Sequence, residues 1–219
     1  FRSIGRAALW QPEGAIDFSW EIVKKYKWRK QFEEYQPPRL KETNYESAEM
    51  QRVLMGIPSG DWFVCLHVRE SRTLKDSANR DATIQNHFEG IQAITDAGGW
   101  VVRIGDSSMT PLPQMERVID YPHTKYKSEL MDMYLISQCR FFFGTNSGPS
   151  DVATLFSKPV LLVNTHEWSI NFPLKKGNLA IMKHTFSRSR NRFLSVSEIL
   201  EEPFSCQIFG GSSNEYFKV

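Results

Sequence analysis

From residue 62 onward, short unbroken apolar runs alternate with stretches of helical period. Residues 62–68 (WFVCLHV) form a near-continuous apolar run, the signature of a strand buried on both faces. Residues 81–97 read as one helix, with Ile84, Phe88, Ile91 and Ile94 on a single stripe and Gly98-Gly99 ending it. Further strands are predicted at 100–104, 117–121, 140–143, 159–163 and 180–183. Helices are predicted at 127–139, with Leu130, Met131, Tyr134 and Leu135 inward, at 149–156, and at 196–202. Strands that alternate with helices at this spacing pair in parallel through right-handed crossovers. The expected fold class is therefore α/β, a Rossmann-like parallel sheet flanked by helices.

The first 55 residues read differently. Residues 16–34 have helical spacing of Phe18, Ile22 and Tyr26, and a basic opposite face of Lys24, Lys25, Lys27, Arg29 and Lys30. That face reads as a solvated surface, or as a contact with a partner or a membrane surface. Gln36-Pro37-Pro38 breaks the pattern, and 46–55 predicts a second short helix. The expected organisation is a helical segment over 1–55, a sheet domain over 56–205 and a polar tail over 206–219. The chain starts at Phe1, so it is expected to belong to something longer.

Composition narrows the function classes. Hydrophobic residues make up 41% of the chain, enough for a real core. A net charge of +2 is too small to imply a nucleic-acid partner. No apolar run reaches the ~20 residues of a membrane span. Cys65, Cys139 and Cys206 lack metal-ligand spacing and read as packing thiols in a reducing compartment.

In parallel sheets ligands bind beyond the carboxyl ends of the strands. That rule directs attention to the loops after Val68, Ile104, Tyr121 and Phe143. The first reads His67-Val68-Arg69-Glu70. A guanidinium there suits phosphate, or an ion pair with Glu70 or another carboxylate. The second carries Arg103, Gly105 and Asp106. Here glycine permits close main-chain approach, and Asp106 either accepts from a sugar hydroxyl or caps its own turn. Tyr121 follows the third strand and can line a pocket, and Asp132 lies on the next helix. The fourth loop, Gly144-Thr145-Asn146-Ser147-Gly148, is all small or polar and leads into a helix. Such a helix start binds phosphate through N–H groups and its dipole, or simply carries a serine cap. His87 reads as a surface residue. GxxxxGK[ST], GxGxxG and GxSxG motifs are absent, as is any Asp-x-Asp pair to hold a metal against a diphosphate.

The run from WFVCLHVRES through VVRIGDSSMTPLP, VIDYPHTKYKSELMDMYLISQCRFFFGTNSG and KPVLLVN resembles a family of bacterial glycosyltransferases found in polysaccharide gene clusters. The resemblance covers about residues 45–200. More distantly, His67-Val68-Arg69 and the turn after FFFGT are similar to fucosyltransferases of the GT-B type. In those enzymes the Arg of the HxR motif contacts the GDP-sugar phosphates, a role that falls on Arg69. Their Ser/Thr-rich turn corresponds to Thr145, Asn146, Ser147 and Gly148. Glu70-Ser71 stands where those enzymes continue with a second basic residue and an Asp.

The resemblance implies the C-terminal, donor-binding half of a GT-B fold, with a further N-terminal acceptor domain. It implies a hexosyl- or fucosyl-type transferase in polysaccharide biosynthesis. The sugar would pass from a nucleotide-diphosphate sugar to a glycan or lipid-linked acceptor, without metal or other cofactor. Arg69, His67 and Glu70 are the expected catalytic group. Arg103, Gly105, Asp106, Tyr121, Asp132, Gly144, Thr145, Asn146, Ser147 and Gly148 are the expected donor contacts. The expected location is the cytoplasm, including the inner face of the membrane. A non-catalytic nucleotide- or sugar-binding module and a sugar-nucleotide epimerase are the alternatives.

Overall fold

The computed structural model describes residues 36–70, 81–165, 177–201 and 216–218. Five strands run β1 (Phe63–His67), β2 (Trp100–Arg103), β3 (Val118–Asp120), β4 (Phe142–Gly144) and β5 (Val160–Thr165). With β6 (Leu179–Met182) they form a six-stranded sheet in the order β3-β2-β1-β4-β5-β6, every pairing parallel. This is the doubly wound order in which the chain reverses direction between β1 and β4.

The unbroken apolar run of β1 has a simple cause. Alternate side chains point to opposite faces of a strand, and both faces of this one are covered. Phe63 and Cys65 enter one core with Val102, Met131, Leu135 and Phe142. Val64 and Leu66 enter the other with Val101, Ile84, Ile91 and Phe143. The first core is roofed by α1 (Glu42–Leu54), α3 (Glu129–Gln138) and α4 (Gly148–Leu155). The second is roofed by α2 (Phe88–Asp96). Ala48 of α1 is fully buried in the first core, so residues 42–54 pack directly onto the sheet domain.

Three expectations need correction. The predicted helix over 81–97 is divided. Residues 81–83 are not helical, Ile84–His87 form a 3-10 turn, and the α-helix starts at Phe88. The reason is tertiary: Ala82 N donates to Arg69 O, which ties this stretch to the loop after β1. His87 is buried, not surface. Its Nδ1 lies 3.1 Å from Thr83 O, its ring packs on Phe143, and burial lowers its pKa. The tail also holds structure. β7 (Thr185–Ser187) pairs antiparallel with β8 (Arg192–Phe193) and with β9 (Tyr216–Lys218). α5 (Val196–Glu201) follows β8. The predicted helix over 16–34 and Cys206 lie outside the described residues.

Candidate functional site

The carboxyl ends of β1 and β4 meet at the switch point of the sheet, where a crevice opens in doubly wound folds. Gly144 ends β4 with φ +144°, and a Cβ there would sit 2.0 Å from His67 O. Only glycine lets the two strand ends approach this closely. Thr145 N then donates to His67 O at 2.8 Å. Thr145 Oγ1 in turn accepts from Arg69 N at 2.9 Å. The loop after β1 is thereby pinned to the loop after β4.

Ser147 is the N-cap of α4 and forms a capping box with Ser150. Its Oγ lies 2.9 Å from His67 Nδ1. Thr145, Asn146 and Ser147 are buried, whereas Gly148 is exposed and a Cβ there would meet open space. The first helical residue thus presents open main chain at the positive end of the α4 dipole.

Arg69 has its main chain fixed but its side chain partly free. The side chain as a whole is 27% exposed, and its Nε stands 3.5 Å from Asp81 Oδ1, beyond good hydrogen-bond length. His67 is buried, and its pKa is lowered to about 4 by that burial, then by Arg103 and Arg69. At neutral pH the ring is uncharged and carries one N–H. In the unfolded chain it titrates near 6.5, so the unfolded state binds more protons between pH 6.5 and 4. Stability from this group is whole above pH 6.5 and is lost as pH falls through 4, by up to about 3 kcal/mol. Urea melts of wild type and His67→Asn across pH 7 to 4 should show a markedly steeper loss in wild type. Parallel profiles would mean that His67 is not held neutral by the fold.

Other expected contacts are engaged within the protein. Arg103 is fully buried and donates to Glu70 Oε1 at 2.9 Å, Asp120 Oδ1 at 3.2 Å and Thr110 O at 2.6 Å. Glu70 Oε2 accepts from Thr110 N, and Asp120 Oδ2 from Leu112 N. Arg103 and Glu70 therefore hold each other and the loop after β2. Gly105 has φ +150°, but the space a Cβ would take is filled by the Met109 sulfur. Asp106 accepts from Ser108 N at 2.8 Å, and its bonds with Ser108 hold its carboxyl below the usual range. Tyr121 is fully buried, with its hydroxyl donating to Ser128 O and accepting from Ser128 N. It anchors the N-cap of α3 and does not line the crevice. Asp132, in the first turn of α3, is bonded through Oδ2 to Lys127 Nζ, while its buried Oδ1 has no hydrogen-bond partner.

Lys127, Asp81 and Lys183 were not among the residues expected from the sequence. Lys183 follows β6, so the strand-end rule that found the other loops would have reached it. Its Nζ donates to Asp81 O at 2.8 Å. Two clefts of about 450 and 640 Å³ lie elsewhere, one beside α2 and β3 and one at the amino ends of β1, β4 and β5. Among the described residues, no helix is long and apolar enough to cross a membrane.

No family model matches the chain, and no curated protein does. Among solved structures, Escherichia coli ADP-heptose LPS heptosyltransferase II matches with a TM-score of 0.50 at 13% identity, over 68% of this chain and 45% of that one. A glycosyl transferase of family 9 from Veillonella parvula matches with a TM-score of 0.49 at 12% identity, over 66% of this chain and 41% of that one. Both are longer proteins, and this chain spans less than half of each. The first is named a heptosyltransferase and not a fucosyltransferase, and at such low identity the likeness speaks to architecture. This chain has a Rossmann-like α/β fold of the kind found within heptosyltransferase II.

Proposed function

We propose that this chain is the donor-binding part of a glycosyltransferase that takes a sugar from a nucleoside diphosphate and passes it to a glycan or lipid-linked acceptor. One observation carries the reading: the Arg69 main chain is locked by Thr145 to the loop that opens α4. A diphosphate in this crevice would meet the Arg69 guanidinium on one side and the Gly148 end of α4 on the other. Both favour negative charge, and both are positioned before the substrate arrives. As the sugar leaves, charge builds on the diphosphate, and these groups stabilise it. His67, neutral and close to Ser147, adds polarity without opposing the guanidinium. The name of the E. coli neighbour includes an ADP-linked sugar, which fits a nucleoside diphosphate donor.

Arg69→Ala in the whole protein is expected to cost about 2–4 kcal/mol of transition-state stabilisation, or about 30- to 1,000-fold in kcat/KM. Donor hydrolysis and sugar transfer would be measured with a panel of ADP-, GDP-, UDP- and CMP-sugars, with Tm as the folding control. Wild-type turnover in a folded Arg69→Ala protein would end the proposal.

Glu70 favours a second reading. Its carboxylate is occupied by Arg103 and Thr110, so it is poorly placed to act as acid or base. A module that binds a nucleotide sugar without turning it over needs the same crevice and no such group. The panel separates the two, since a module would bind donor and neither hydrolyse nor transfer it.

A further inference from the structure

We propose that Lys183 is the second cation of this site and makes it select diphosphate-linked over monophosphate-linked nucleotides; the inference rests on the proposed donor crevice. Lys183 stands at the carboxyl end of β6, and its main-chain N donates to Thr165 O at the end of β5. It is therefore on the same sheet edge as Arg69 and Gly148. Asp81, held beside Arg69 by the bond from Ala82 N to Arg69 O, contacts both cations. Asp81 Oδ1 faces Arg69 Nε at 3.5 Å, and Asp81 O accepts from Lys183 Nζ at 2.8 Å. Two cations thus share one residue: Arg69 faces its carboxylate, while Lys183 bonds its carbonyl and also feels the carboxylate's charge.

An ammonium has three donors, and the Asp81 carbonyl takes one. The Lys183 side chain is half-buried, and burial lowers its pKa, so its charge gains from any anion that reaches it. The Arg69 Nε atom is likewise buried without a hydrogen-bond partner. Arg69 and Lys183 both contact Asp81, one at its carboxylate and the other at its carbonyl, so two separate cationic groups are held at one residue. The planar fork of Arg69 suits one phosphoryl group and the compact ammonium the other. With a monophosphate, Arg69 and the α4 start are engaged and Lys183 is left with Asp81.

The test is calorimetric titration of the whole protein with matched pairs: AMP and ADP, UMP and UDP, GMP and GDP. Wild type should bind the diphosphate of its preferred base about tenfold or more tightly than the monophosphate, the scale of hydrogen bonds to a charged group. Lys183→Met should remove that preference while leaving monophosphate affinity unchanged, and Lys183→Arg should restore part of it. Arg69→Ala should weaken both ligands. If Lys183→Met keeps the full preference while Arg69→Ala abolishes binding, the Lys183 inference is overturned and the donor crevice stands. If wild type binds no nucleotide, the crevice reading falls and takes this inference with it.

Discussion

Truncating Arg103 to alanine is expected to cost about 3–5 kcal/mol of folding stability, the range for removing one partner of a buried ion pair. The guanidinium is fully buried and bonded to two carboxylates and a carbonyl. Its loss leaves the Glu70 and Asp120 carboxylates without the guanidinium that both contact. Their side chains are 18% and 19% exposed, so water reaches them in part and the cost should fall toward the lower figure. Urea denaturation at pH 7 measures the loss. The triple variant Arg103→Met, Glu70→Gln, Asp120→Asn should recover much of the stability, because it removes the charges together. A loss under about 1 kcal/mol in Arg103→Ala would place this network at the level of a surface pair.

Gly144→Ala is expected to be the most damaging single-methyl change at the crevice. The position needs φ +144°, a region nearly closed to residues with a Cβ. The added carbon would lie 2.0 Å from His67 O, a main-chain atom of the neighbouring strand. A rotamer change cannot relieve a clash between backbones. Either β4 moves off β1 or the Gly144 peptide turns, and both break the Thr145 bonds to His67 and Arg69. Backbone strain of about 1–3 kcal/mol combines with overpacking of a similar size. Thermal melts should show a large fall in Tm or no soluble protein, and any folded fraction should lose diphosphate affinity. Gly148→Ala is the control. Its Cβ meets open space, so stability should stay near wild type. Equal stability of the two variants would show that β1 and β4 do not meet as described.

The fold was largely legible in the sequence because burial leaves a local record. A strand covered on both faces must be apolar at every position, and β1 reads that way. Helices with one covered face repeat their apolar residues every three to four positions, as Phe88, Ile91 and Ile94 do. The strand-end rule then led to the His67, Arg69 and 144–148 loops, which the sheet does bring together. What failed was the fate of individual charges and small strands. Arg103 and Glu70 look alike in the sequence, two polar residues after apolar runs, yet they neutralise each other across 33 positions.

The amino-acid sequence by itself determined the alternation of parallel strands and helices, and therefore which loops gather at the carboxyl edge of the sheet. Tertiary structure alone decided which charges are neutralised inside the protein and by which partners. Arg103 is enclosed by Glu70 and Asp120, whereas Lys183 reaches Asp81 from 102 positions away. It also buried His87 and paired β9 with β7. The reason is the range of the forces involved. Periodicity is set by neighbours along the chain, but a charge takes its role from whichever counter-charge folding places beside it.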